Sequence, residues 1–374
     1  MKSKALYSLS LIALVAIGCN QNSVPNSFSF TLKELGNEVD FHSEIQLRYI
    51  QAEDYMTTMG IASGSSSKEQ PLAIELSWEG QANNKKNPNS YVVNVYEGDS
   101  SNIYQRFETT ENHVDFYNAK INTNYSYEVI AMYPAANKTF VSDSSSFKTT
   151  DKGPRNLYVE NVMNIRDLGG HGIKQGLIYR SGRFNESDGT TNITDNTIET
   201  MTVDLKVKTE IDLRRDDEIG GITSSPLGES VNYHHLPMYY GGNNVLTYVG
   251  ESSSGSYNNP LQIKEFFHIL SDENNYPIDF HCAIGKDRTG CMAYLIEALC
   301  GMNEEYLYRD YLWSNFAKIS GMCETKDIDD KYGATLKDYE GTTLQEKTFN
   351  YLENVIGVPR SELLNIQEIL TETK

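Results

Sequence analysis

His281-Cys282-Ala283-Ile284-Gly285-Lys286-Asp287-Arg288-Thr289-Gly290 is the stretch on which the reading of this 374-residue chain turns. It follows Pro277-Ile278-Asp279-Phe280, a short β-prone run, and precedes Cys291 to Cys300, a helical one. A strand, a tight loop and a helix start, in that order, build an anion cradle, because loop amides converge there and the helix dipole favours negative charge. A positive field of that kind lowers the pKa of a thiol, so Cys282 is expected as a thiolate at neutral pH. Six residues on, the planar guanidinium of Arg288 can grip two phosphate oxygens and cancel the repulsion between a thiolate and a phosphate monoester. Thr289 can offer its hydroxyl to the sulfur as the thiol departs, and His281 reads as a loop brace rather than a base. Ala283, Ile284, Gly285, Lys286, Thr289 and Gly290 complete the phosphate- and substrate-binding surface. Cys-x5-Arg alone is a weak pattern. The strand before it, Gly285, and the Thr289-Gly290 exit into a helix favour it over an inert buried cysteine.

The ten residues resemble the signature of the cysteine-dependent protein tyrosine phosphatases. Gly285-Lys286-Asp287-Arg288 is similar to the bacterial branch that includes dual-specificity and phosphoinositide-hydrolysing enzymes. Asn164-Ile165-Arg166-Asp167-Leu168-Gly169-Gly170, Gly176-Leu177-Ile178-Tyr179-Arg180-Ser181, Ile211-Asp212-Leu213-Arg214 and Asp310-Tyr311-Leu312 match as well, so the resemblance runs over about residues 156 to 372. It implies a protein-tyrosine or dual-specificity phosphatase that works through a phosphocysteine, with no cofactor and no metal. An inositol-phosphate or phosphoinositide phosphatase of the same mechanism is the first alternative. A surface binding module with a vestigial phosphatase site is the second, although Cys282, Asp287, Arg288 and Thr289 are all present. The resemblance picks out two carboxylates as general acid, Asp287 and Asp167. Asp287 is favoured because its backbone lies one residue before Arg288, whereas Asp167 reads equally well as a buried carboxylate bound to loop amides. Lys286 adds a charge that suits a substrate carrying further phosphates, or else it pairs with a nearby carboxylate such as Asp287 or Asp167.

The formal net charge of −19 argues against a general nucleic-acid-binding surface and against electrostatic adhesion to anionic lipid, so any anion site must be a local positive pocket. Residues 1–18 read as a signal peptide, with Lys2 and Lys4 before an apolar run too short to span a membrane. Val15-Ala16-Ile17-Gly18-Cys19 resembles a bacterial lipoprotein cleavage box, with Ala16 in place of the usual leucine. It implies a lipidated Cys19 and a membrane-anchored protein of the Gram-negative envelope.

Residues 19–70 are expected as a tether and an unassigned segment, with a flexible Ser63-Gly64-Ser65-Ser66-Ser67 loop. Over 71–150 the pattern has period two: Ile74, Leu76 and Trp78, then Tyr91, Val93 and Val95. Trp78 resembles the buried tryptophan, and Tyr127 the corner tyrosine, of a fibronectin type III β-sandwich. This part is expected as a spacer or binding module. After a linker at 150–154, residues 155–374 alternate strands and helices, which predicts an α/β phosphatase domain with a parallel-rich central sheet flanked by helices. Two Gly-, Ser- or acid-rich stretches, 241–259 and 321–341, are expected as irregular loops near the site. Cys291, Cys300 and Cys323 are expected as buried thiols, a Cys300–Cys323 disulfide being the alternative. His234-His235 is expected to pack at a strand end rather than bind metal.

Overall fold

The structure, a computed structural model, describes residues 24–372 apart from 37, 59, 63, 65–67, 241–244 and 320. The leader, Cys19 and most of the Ser63–Ser67 run therefore lie outside the described residues. The first half forms two antiparallel sheets. One has three strands, β1 (Phe28–Leu32), β2 (Ile74–Ala82) and a later strand, β5 (His113–Phe116). The other is built from β3 (Ser90–Glu97), β4 (Ile103–Thr109), β6 (Asn124–Tyr133), β7 (Lys138–Val141) and β8 (Ser145–Lys148). Period-two alternation sends Ile74, Leu76 and Trp78 from the first sheet and Val93, Val95, Tyr127 and Val129 from the second into one buried cluster.

Two expectations for this half are corrected. The segment 19–70 is more than a tether: Phe28, Phe30 and Leu32 alternate along β1, which pairs with β2 from Phe28↔Ala82 to Leu32↔Trp78. The tyrosine whose hydroxyl returns to nearby upstream backbone is Tyr125, which accepts from the Lys120 amide at 2.8 Å. Tyr127 donates to the distant Lys33 carbonyl instead, because the two rings lie on the same buried face and only one reaches the turn.

The second half carries a six-stranded sheet of β9 (Arg155–Asn156), β10 (Arg166–Asp167), β11 (Ile178–Ser181), β12 (Thr209–Asp212), β13 (Asn232–His235) and a strand placed later in the chain, β16 (Ile278–His281). Its order is β13-β12-β16-β11-β10-β9, and β16 runs parallel to both neighbours. One face packs on α3 (Asn259–Leu270), α4 (Asp287–Leu299), α5 (Glu304–Trp313), α8 (Leu344–Tyr351) and α9 (Arg360–Leu370). The other face packs on α2 (Asp195–Glu199) and the 157–165 segment. Parallel strands at the middle of a sheet bring their carboxyl ends to one edge. Ser181, Asp212 and His281 stand there in register.

The two stretches expected as irregular are partly structured. Within 241–259 the hairpin of β14 (Val249–Ser252) and β15 (Gly255–Asn258) turns on Gly255 at φ +143. Within 321–341 lie the short helices α6 (Thr325–Asp327) and α7 (Ala334–Leu336), joined by a π-helical segment over Ile328–Gly333, and Ile328, Tyr332 and Leu336 are buried. No helix among the described residues is long and apolar enough to cross a membrane.

The halves are joined through a buried arginine. Arg155 Nη1 donates to Asp167 at 2.5 Å, while Nε and Nη2 reach the Ala119 and Asn118 carbonyls of the first half. Both side chains of the pair are at most 1 % exposed. Removing one member of a buried pair leaves the other uncompensated, which costs about 3–5 kcal/mol. Arg155→Met should lose stability of that order in urea unfolding, and a loss below about 1 kcal/mol would show that Asp167 does not need this cation.

Candidate active site

Cys282 leaves the carboxyl end of β16 and the chain turns through Lys286 into α4. What orients the turn is visible from its outer side, where each carbonyl is met by a donor. Ala283 O accepts from Arg183 Nη1 at 3.0 Å. Ile284 O and Gly285 O both accept from Asn164 Nδ2 at 3.0 Å, and Gly285 O also accepts from Arg180 Nη2 at 2.9 Å. A peptide plane whose carbonyl is held outward turns its following amide inward, so these contacts aim the loop amides at the thiol. Gly285 sits at φ +69, and a Cβ there would meet Ser181 O at 2.6 Å, so no other residue fits without shifting β11.

The donors are themselves held. Arg166 Nη1 bonds Asn164 Oδ1 at 2.6 Å, and its Nε bonds Asp310 Oδ1 at 2.6 Å. Asp310 also pairs with Arg180. Burial alone would raise the Asp310 carboxyl, but the two guanidiniums hold it below the usual carboxylate range. The quoted stretches around 164–170, 176–181 and 310–312 thus form one buried scaffold behind the loop.

Cys282 is 2 % exposed. Burial pushes its thiol up, but the Arg288 charge, together with the Thr289 hydroxyl and amide, overcomes that and leaves it below the ordinary thiol value. The other described cysteines are free thiols without such company. Burial pushes Cys291 well up, and Cys300 and Cys323 up to about 12.

The terminal nitrogens of Arg288 face Glu218, with Nη1 at 2.6 Å from Oε2 and Nη2 at 3.2 Å from Oε1. Burial opposes ionisation of Glu218, yet the Arg288 fork and Arg215 keep its carboxyl low. Arg214, paired with Asp212, donates to the Glu218 carbonyl and so fixes the acid that fixes Arg288. The Tyr240 ring lies 4.6 Å over the Arg288 guanidinium. Arg288 Nε is buried with no hydrogen-bond partner among the described residues. A tetrahedral oxyanion gives such a vacant donor its partner.

The two candidate acids differ. The Asp287 carboxylate makes no hydrogen bond or ion pair among the described residues, although its carbonyl accepts from Tyr332. Asp167 is 1 % exposed, and beyond its Arg155 contact it accepts from the Gly169 and Gly176 amides. With both oxygens engaged, Asp167 has the surroundings of a buried, amide-bound carboxylate, the other reading of it. Lys286 pairs with neither aspartate: its Nζ donates to the Met322 carbonyl at 2.8 Å. Glu218, Arg183 and the precise use of Asn164 and Arg180 are the contributions that sequence reasoning missed.

His281 is the brace expected of it. Its Nε2 lies 2.9 Å from Glu210 Oε1, and its Nδ1 is 3.4 Å from the Cys282 carbonyl. Glu210, Asp212 and His281 bring ligand-type atoms within 4.8 Å of one another; His281 lies against both carboxylates, and Asp212 is further paired with Arg214. His234 and His235 belong to β13, and His235 Nε2 lies 2.8 Å from the Arg214 carbonyl.

Burial would lower the His281 imidazole, but Asp212 and Glu210 raise it to about 9. A folded value above the unfolded one means stability fully present below about 6.5 and lost as pH rises through 9. The stability difference between the wild-type protein and His281→Asn should therefore be largest near pH 6. It should shrink by roughly 3 kcal/mol by pH 10 in urea titrations. A difference independent of pH would contradict a charged His281 in the folded state.

The family is identified by comparison with known proteins. Residues 157–372 match the profile of the tyrosine phosphatase family. Among solved structures, the chain is similar to the core catalytic domain of the PP-IP phosphatase Siw14 from S. cerevisiae, with 16% identity and a TM-score of 0.30 over 48% of this chain and 93% of that one. It is also similar to TpbA from P. aeruginosa, with 17% identity and a TM-score of 0.31 over 50% and 92%. No curated protein sequence matches. The profile spans more than half of the chain and contains the whole cradle, so the chain belongs to the tyrosine phosphatase family and is a cysteine-dependent phosphomonoesterase.

Proposed function

We propose that Cys282, Arg288 and Asp287 carry out hydrolysis of phosphotyrosine and related phosphomonoesters. The observation that carries this assignment is the cradle around Cys282: the Ala283, Ile284 and Gly285 carbonyls are held outward by Arg183, Asn164 and Arg180, with Arg288 beside a buried thiol that is lowered while burial raises the other three. The Cys282 thiolate attacks phosphorus and forms the S–P bond as the P–O bond breaks. Asp287 gives its proton to the leaving oxygen. It then takes one from water, which attacks phosphorus, breaks the S–P bond and releases phosphate and the thiolate. Arg288 Nε and the loop amides hold the non-bridging oxygens, and Thr289 Oγ1 stabilises the departing sulfur.

Cys282→Ser should abolish turnover while the fold and phosphate-analogue binding survive, because the cradle stays and only the nucleophile changes. Asp287→Asn should slow an alkyl phosphate about a hundredfold or more and an aryl ester with a stable leaving group much less. Asp167→Asn should lower stability and spare this leaving-group dependence. Serine-variant rates equal to wild type, or a leaving-group effect that follows Asp167, would overturn the assignment.

Inositol phosphates or phosphoinositides are a second substrate class, favoured by Lys286. Its ammonium is held by a carbonyl and has no carboxylate at ion-pair distance among the described residues, so its charge is available to a further phosphate. Lys286→Ala should reduce kcat/KM on an inositol polyphosphate roughly five- to hundredfold more than on a phosphotyrosine peptide. Equal losses on both would remove this class.

The paired sheets, buried Trp78 and backbone-bonded Tyr125 support a fibronectin type III-like module for the first half. The Cys19 box supports lipid anchoring in a Gram-negative envelope, which N-terminal mass analysis of the native protein tests. An unmodified terminus elsewhere would leave only a secretion signal.

A further inference from the structure

Between β1 and β2 the chain leaves the sheets at Phe41 and returns at Leu72, whose amide donates to the Phe41 carbonyl at 2.7 Å. The loop this closes lies on the catalytic half. In α1 (Glu44–Ile50), Tyr49 donates to the Arg309 carbonyl at 2.8 Å, and its ring packs edge-on against Trp313 and Phe316. Arg309 returns three bonds, to the Tyr49, Ile50 and Ala52 carbonyls. Tyr55 stacks on Tyr308 at 4.2 Å.

Further along, the loop reaches the segment after α5. Gly64 N donates to Asn315 O and Glu69 N to Phe316 O, both at 2.9 Å, with Lys68 bridged to Ala317. The Asn315 side chain then clasps Cys323 through both its amide nitrogen and its oxygen. The residue before Cys323 is Met322, whose carbonyl holds Lys286 Nζ. A continuous set of contacts thus runs from a segment outside the family match to a residue of the phosphate loop.

We propose that the contacts of Gly64, Lys68 and Glu69 are a working part of the catalytic unit, and that they position Lys286 through Asn315 and the 321–323 turn. This rests on the reading that Lys286 contacts substrate. Gly64 is the point of leverage. At φ +66 it abuts Gly321, and a Cβ there would collide with the Gly321 carbonyl oxygen, one residue from the carbonyl that holds Lys286. Gly60 supplies the control: it has φ +91 with nothing within 4 Å of its Cβ, so an alanine adds backbone strain and no push.

The test measures kcat/KM on an inositol polyphosphate for Gly64→Ala, Gly60→Ala, Lys286→Ala and the Gly64→Ala/Lys286→Ala double variant. Each is checked for a cooperative melt. Gly64→Ala should lose roughly fivefold while Gly60→Ala stays within about twofold, and the Gly64 effect should vanish in the Lys286→Ala background, as coupling through one residue requires. If Gly64→Ala does not fold, Glu69→Pro, which removes the amide bonded to Phe316 O, takes its place under the same criteria. An impaired Lys286→Ala beside a wild-type-like Gly64→Ala would overturn the proposal and leave the Lys286 reading intact. So would an unchanged Gly64 effect in the double variant. A wild-type-like Lys286→Ala would instead overturn the reading of Lys286, and the proposed route with it.

Discussion

Three carbonyls, of Ala283, Ile284 and Gly285, are held from outside the phosphate loop, and the chemistry of the site follows from that constraint. Left to itself, a loop this short between a strand and a helix has several ways to turn its peptide planes. Arg183, Asn164 and Arg180 select the one in which the amides converge on Cys282. Because Asn164 and Arg180 are fixed by Arg166 and Asp310 in the dry interior, and Arg183 by Glu186, the amides need no rearrangement when a phosphate arrives.

The same arrangement explains how a chain with a net charge of −19 keeps an anion site. Arg288 meets Glu218 through its terminal nitrogens, which holds the guanidinium plane and leaves Nε without a protein partner among the described residues. A pocket of fixed, partly satisfied donors is a local field, and its sign is independent of the surface charge. Burial works against every ion in the site. The Cys282 thiol and the Glu218 carboxyl are lowered because each has a specific cationic neighbour, whereas Cys291, one residue beyond Gly290, has none and is raised.

Much of this was legible in the sequence. The strand, turn and helix around Cys282 are local features, and local patterns survive without knowledge of the rest of the chain. The stretches around Asn164, Arg180 and Asp310 could be singled out as belonging with the cradle. That the Asn164 amide meets Gly285, 121 residues away, depends on the sheet order and on no spacing in the chain. Glu218 carried no signal at all, standing third in Asp216-Asp217-Glu218 among 51 acidic residues. Asp167 was ambiguous for a physical reason: a carboxylate beside an arginine in a shared stretch suits catalysis and core pairing equally well, and its three donors are what favour the second. The 41–72 loop was opaque because its partners lie on another half of the chain. Its apolar residues follow no single period.

Trapping the covalent intermediate tests the account most directly. The wild-type protein, mixed with excess aryl phosphate and quenched in acid within the first turnovers, should yield one phosphorylated peptide, the one containing Cys282, with phosphate bound through sulfur. Phosphate attached elsewhere, or steady turnover with no adduct on Cys282 at any quench time, would contradict the central claim that the oriented loop makes this thiol the nucleophile.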